Sequence, residues 1–215
     1  MLGLLVAWNF AISWLNAWAC GKSWPESKQE SGWPHFMNWM GAVMSACGFT
    51  WCYLVVMTYV GINWDVTNDK TGLVHPLISP ATAALVFKLG YVVIIGPILG
   101  SGLAITVQSW AHFWRRRTFS DGGITAYNTF AQINNTYNAL TYVPEFVGDL
   151  IEAFAGKSSS KDGKSGALVI FLVVVALLGG ILTTYAILVS SAKSHAFALR
   201  MKAENVRLGS ESART

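Results

Sequence analysis

The sequence ALVIFLVVVALLGGILTTYAILVSSA, residues 167–192, contains no Asp, Glu, Lys or Arg. An α-helix rises about 1.5 Å per residue, so about 20 apolar residues cross a hydrocarbon core of roughly 30 Å. Length and composition together predict that this segment is a membrane-spanning helix.

Three further segments have the same character. Residues 1–20 and 36–61 carry no charged side chain, and residues 80–108 carry only Lys88. The sequence therefore predicts an all-α, polytopic membrane protein with four transmembrane helices in a single membrane domain, residues 1–215. No basic residue precedes the first apolar run, as it would in a signal peptide, so we expect a retained first span.

Composition indicates which partners the chain contacts. Of its 215 residues, 53% are hydrophobic and 12% are charged, whereas soluble domains contain about 25% charged residues. The net charge of +4 comes from basic residues that flank the spans, which suits anionic lipid head groups. We expect the partners to be the lipid bilayer and either other membrane protein subunits or copies of this chain, with no nucleic acid read directly.

A polar seam follows the first span. Asn9, Ser13 and Asn16 share one face of a helix, and amides that faced lipid would lack hydrogen-bond partners. This face is expected to turn inward, either as hydrogen-bonding contact between helices or as the wall of a polar pathway. Lys88 is the only charge within a span. Either it has a structural role, in which its ammonium group pairs with another side chain or snorkels to the membrane interface, or it is a functional charge in this pathway.

Small residues recur at three- and four-residue spacing in the second and third spans. This pattern lets helix backbones approach closely, and it predicts helix packing against another span or another subunit. The packing residues predicted in this way are Gly41, Ser45, Gly48, Gly96 and Gly100. Pro97 follows Gly96 and predicts a kink in the third span.

Residues 118–156, between the third and fourth spans, are predicted to form an amphipathic helical loop. Pro144 is expected to open a second helix within it, with an acidic polar face that disfavours adsorption to anionic lipid. We therefore expect this helix to dock on the spans or on a neighbouring subunit. Its candidate docking residues are Phe146, Leu150, Ile151 and Phe154.

The remaining segments determine the expected orientation. Residues 157–166 are rich in Ser and Lys and predict a flexible tether, and residues 193–215 predict a helical tail. Three consecutive arginines, Arg115 to Arg117, follow the third span directly. Positive residues favour the cytoplasmic side of a membrane. We therefore expect this loop to be cytoplasmic and both termini to lie together on the other side of the membrane. We expect the membrane to be an inner or plasma membrane.

Motifs for catalysis and for cofactor binding are missing from the sequence. It contains no GxGxxG, Walker or HExxH pattern, its three cysteines fall within spans, and its four histidines do not share metal-ligand spacing. We therefore expect no enzyme activity, no cofactor and no metal.

Two hypotheses for function follow. The first is a non-enzymatic integral membrane subunit of a larger assembly, of a secretion or conjugation type, virion-associated or energy-transducing. The alternative is a self-associating small channel or holin-like pore, lined by Asn9, Ser13, Asn16 and Lys88.

Overall fold

The computed structural model describes residues 1–30, 32–155 and 163–212. Five helices account for nearly all of them, and the bundle has no sheet core, which confirms the all-α prediction. The helices are α1 (Leu2–Glu30), α2 (Trp33–Asn63), α3 (Pro80–Arg116), α4 (Phe119–Ala155) and α5 (Gly163–Ser212). Four of these, α1, α2, α3 and α5, are long and apolar enough to cross a membrane, as predicted.

Helix α2 lies at the centre of the bundle and packs against α1, α3 and α5. Antiparallel strands β1 (Asp65–Thr67) and β2 (Val74–Pro76) form a short hairpin that joins α2 to α3. The apolar core lies near this hairpin, where α2, α3 and α5 meet. Its buried members are Leu54, Val86, Val169, Val173 and Ala176.

Local chemistry defines the ends of α3 and the start of α4. Ser79 caps α3, because its hydroxyl accepts a hydrogen bond from the Thr82 backbone N–H at 3.2 Å. The helix ends at Arg116, and the next residue, Arg117, adopts a left-handed conformation with φ of 50°. Thr118 then accepts a hydrogen bond from the Asp121 N–H at 3.1 Å at the start of α4. Helix α4 runs antiparallel to α3, because its residues Thr125 and Gln132 bond successively earlier carbonyls of α3, those of Ser109 and Leu99.

The bundle has two ends, which we name for what lies there. The hairpin end carries Met1, the β-hairpin and the start of α3. The arginine end carries Arg115 to Arg117, together with the α1–α2 turn.

Helix α4 confirms that the segment between the third and fourth apolar spans is helical, but it corrects the prediction of two helices there. It runs without a break through Pro144, so this proline does not open a second helix. A proline removes one backbone hydrogen bond, and side chains on both sides of Pro144 pack against α3, which maintains the helical course. Pro97 likewise lies inside the continuous helix α3.

Four alternating spans would place both termini at the same end of the bundle. The direction of α5 does not fit this expectation. Because α4 returns along α3, α5 starts at the hairpin end, where Gly166 lies beside Phe154. It then runs to the arginine end, where the Ser191 hydroxyl donates to the Trp18 carbonyl at 2.6 Å. The two termini therefore lie at opposite ends of the bundle. The predicted tether lies outside the described residues as far as residue 162, and the chain is helical from Gly163.

Candidate functional site: a polar cavity near the arginine end

A cavity of about 330 Å³ lies between α1, α2, α3 and α4. Unlike the outer surface of the bundle, its wall is rich in polar side chains contributed by all four helices. These polar side chains are Asn16, Asn38, Gln108, Ser109, His112, Asp121 and Asn128.

Asn38 fixes the α1–α2 side of the cavity. Its Nδ2 donates to the Ser27 hydroxyl at 2.6 Å, and its Oδ1 accepts from the Ser23 hydroxyl at 2.9 Å. Asn38 and Ser27 are buried. Because both ends of this amide are already hydrogen-bonded, Asn38 acts as a structural bridge between helices rather than as a free ligand.

The α3 and α4 side of the cavity contains an imidazole and a carboxylate. Gln108 Nε2 and His112 Nε2 lie 3.3 Å apart on successive turns of α3. Asp121 accepts a hydrogen bond from the Thr118 hydroxyl at 2.6 Å in the first turn of α4. A carboxylate at this position is favoured by the exposed N–H groups and the dipole of the helix.

Asn16 and Asn128 line the same cavity from opposite helices. Neither side-chain amide makes a hydrogen bond to another residue in the described part of the chain. An amide offers donors and acceptors together, so this pair suits water or a small polar solute.

A further amide lies deeper between α3 and α4. Gln132 donates from Nε2 to the Leu99 carbonyl at 3.2 Å and packs where Gly102 leaves space. Its Oε1 is buried and has no partner among the described residues. Sequence reasoning missed this residue because it followed only the apolar residues of the loop. The three- and four-residue spacing of Thr125, Asn128 and Gln132 was the signal that would have found it.

The three residues of the polar seam of α1 do not share one environment. Asn9 donates to the Leu5 carbonyl of its own helix at 2.9 Å, and Ser13 is buried against Gly48. Asn16 alone of the three lines the cavity. The seam therefore does not form a continuous wall.

Lys88 lies away from the seam, towards the hairpin end. It forms an ion pair with Asp149 of α4, and its ammonium group lies 5.5 Å from the centre of the Phe146 ring. Phe146 also meets Tyr91 edge-to-face at 5.6 Å, and Leu150 is buried. Of the four predicted docking residues, Phe146 thus contacts α3, and Phe154 lies beside Gly166 of α5.

The small-residue stripe of α2 packs against α1. A Cβ atom at Gly41 would overlap Cys20 Sγ, and a Cβ atom at Gly48 would overlap the Ser13 hydroxyl. Ser45 is fully buried and donates to the Gly41 carbonyl at 2.9 Å. The first span is therefore the partner of this stripe.

Two of the predicted docking residues and two of the predicted packing residues lie on the outer surface instead. Ile151 and Phe154 are exposed on α4. Gly96 and Gly100 have no described atom within 4 Å of the position that a Cβ would occupy. Gly96 and Gly100 make no close helix–helix contact within the described part of this chain, whereas Phe154 lies beside Gly166 of α5.

No group of His, Cys, Asp and Glu in the described residues has the geometry of a metal site. Comparison of the chain with protein-family models, with curated proteins and with solved structures finds no match. The arguments for function therefore come from the geometry of this chain.

Proposed function

We propose that this protein is a non-enzymatic integral membrane subunit of a larger membrane assembly. The observation that carries the proposal is a C-terminal arm, the part of α5 from Phe197 onward. Every described side chain from Phe197 to Arg207 is exposed, although the helix continues to Ser212.

The arm leaves the bundle as a single helix of about 24 Å. Short isolated helices are marginal in water, and most helical stability in proteins comes from packing of an apolar face. Phe197, Leu199, Met201 and Val206 supply apolar side chains with no described contact to bury them. A partner protein that covers these side chains would account for an ordered arm.

The outer surface of α3 supports the same proposal. Gly96 and Gly100 present a flat strip of backbone outward, and small residues at this spacing favour close helix association in a bilayer. A second transmembrane subunit fits such a strip.

The test is the mass and protein content of the native particle after gentle solubilisation. We expect a particle larger than the single chain that contains other proteins, and their identity would show which kind of assembly it is. A triple variant, Phe197→Ser, Met201→Ser and Val206→Ser, should release the chain from its partners. The matched control, Arg200→Gln with Lys202→Gln, should keep the particle intact. A monomer in the unmodified extract would contradict the proposal.

A second candidate function, passage of a small polar solute or ion, is favoured by the cavity. In this form of the pore hypothesis the lining groups are Asn16 and Asn128 inside one chain, rather than the whole seam of α1. Dye or ion leakage on expression tests it, and Asn16→Leu should reduce the leakage. Asn9→Leu is the matched control because Asn9 is outside the cavity. Absence of leakage from the unmodified protein would exclude this function.

A further inference from the structure

Helix α4 lies along α3 over the whole depth of the bundle. Near the arginine end, Gly122 lies beside Phe113, and the Thr125 hydroxyl donates to the Ser109 carbonyl at 3.0 Å. Near the hairpin end, Asp149 of α4 pairs with Lys88. These contacts extend over about 40 Å of helix. Helix α3 is one of the four apolar spanning helices, so α4 occupies the same depth.

The charge-free length of α4 matches a bilayer. Asp121 and Glu145 bracket residues 122–144, which contain no Asp, Glu, Lys or Arg. This stretch is 23 residues long. At about 1.5 Å per residue it covers roughly 34 Å, comparable to a hydrocarbon core of about 30 Å.

The polarity of α4 is inverted relative to a helix on the surface of a soluble protein. Its polar residues Thr125 and Gln132 face α3, whereas Phe130, Ile133 and Leu140 are 71%, 64% and 75% exposed. In water, the apolar face of a helix is buried and the polar face is exposed. Polar groups inside and apolar groups outside are what a lipid environment requires.

Asn134, Thr136 and Thr141 are polar residues on the outward face, and both threonine hydroxyls donate to carbonyls of their own helix. A single exposed amide, together with the inward Asn and Gln residues, makes isolated α4 a poor membrane segment. Its hydrogen bonds and ion pair with α3 offset this cost, so α4 depends on α3 for its position.

We propose that α4 crosses the bilayer as a fifth transmembrane helix, with its outward face against lipid acyl chains. The distribution of Lys and Arg along the chain supports five crossings, independently of any contact between helices. With five crossings, ten of the fifteen Lys and Arg fall on the arginine side, four fall on the hairpin side, and Lys88 lies within a span. With four crossings, eight Lys and Arg fall on the side of Arg115 to Arg117 and six fall on the opposite side. Five crossings thus give a clear positive side, the arginine side, which is then cytoplasmic.

Single cysteines in the full-length chain test this proposal with a membrane-impermeant maleimide on intact cells. Ser120→Cys and Ala155→Cys mark the two ends of α4, and Phe130→Cys marks its middle. The three native cysteines are buried, and the unsubstituted chain measures their background labelling.

We expect Ala155→Cys to be labelled from outside the cell and Ser120→Cys only after permeabilisation. Phe130→Cys should resist labelling in both conditions and react after detergent treatment. Labelling of both ends from one side would overturn the proposal, as would rapid labelling of Phe130→Cys in intact membranes.

A second measurement separates lipid from a partner protein as the cover of α4. The purified Phe130→Cys protein, reconstituted alone into liposomes, should remain protected if acyl chains cover this face. Labelling in these liposomes, after protection in native membranes, would show that another protein covers α4 and would overturn the proposal.

Discussion

Helices α2 and α4 pack against their neighbours with opposite chemistry, α2 against α1 and α4 against α3. Helix α2 is the more buried, and its packing face is made by small side chains such as Gly41 and Gly48. Helix α4 uses Thr125, Gln132 and Asp149 to reach α3. The comparison shows that one helix of a membrane bundle can be held by close backbone approach at small residues, and another by contacts of polar side chains.

The largest expected effect concerns close packing around α2. In Gly180→Ala, the new Cβ would lie 2.5 Å from the Ala46 carbonyl oxygen and 2.9 Å from the Thr50 nitrogen. Both are backbone atoms of α2, so the helices must separate, at a cost of about 1–3 kcal/mol. Thermal unfolding in detergent measures this loss.

Gly100→Ala is the matched control on α3. No described atom lies within 4 Å of its Cβ position, so this change should be neutral or stabilise the helix by up to about 1 kcal/mol. Equal losses in the two variants would contradict the assignment of α2 as the closely packed helix.

The next effect concerns the ion pair that joins α4 to α3. Asp149→Asn leaves the part-buried Lys88 without a carboxylate partner, and we expect a loss of roughly 1–3 kcal/mol in unfolding free energy. The double variant Lys88→Met with Asp149→Leu should recover most of that loss, because it removes both charges. A double variant less stable than Asp149→Asn would show that the pair does not couple the helices.

A third prediction contrasts two buried amides. Asn38→Leu removes two hydrogen bonds between α1 and α2, and should cost about 1–2 kcal/mol. Gln132→Leu removes one hydrogen bond but also a buried oxygen without a described partner, so it should be nearly neutral. Unfolding in the same detergent compares them, and a larger loss for Gln132→Leu would give that residue a role beyond packing.

The smallest effect concerns a single hydroxyl contact between α2 and α5. Tyr53 and Thr183 share a hydrogen bond of 2.7 Å, so Tyr53→Phe should lower the unfolding free energy by about 0.5–1 kcal/mol. Tyr185→Phe, at an exposed position on α5, is the control and should have no effect. If both variants match the unmodified protein, this bond does not contribute to stability.

The sequence predicted the elements that hydropathy identifies. The four apolar spans and the small-residue face of α2 could be read directly, because uncharged length and residue size are local properties. The Lys88 pair was anticipated only as an option, since Asp149 is distant in sequence.

The sequence did not predict the path of α4. Its Asn, Gln and Thr residues lower its hydropathy, although Thr125, Asn128 and Gln132 lie on the side of α3 and the cavity. The contacts between α4 and α3 are needed to show which side of α4 is internal. Pro144 also gave a false indication that a second helix begins there. The cavity was missed for the same reason, because its members come from four helices and only Asn16 had been singled out for a pathway.

The central claim is that five antiparallel helices place the two termini on opposite sides of the membrane. Identical epitope tags at the N- and C-termini of the full-length chain test it most directly, through antibody access in intact and permeabilised cells. The account predicts that the N-terminal tag is accessible in intact cells and the C-terminal tag only after permeabilisation. Access to both tags from the same side would contradict it.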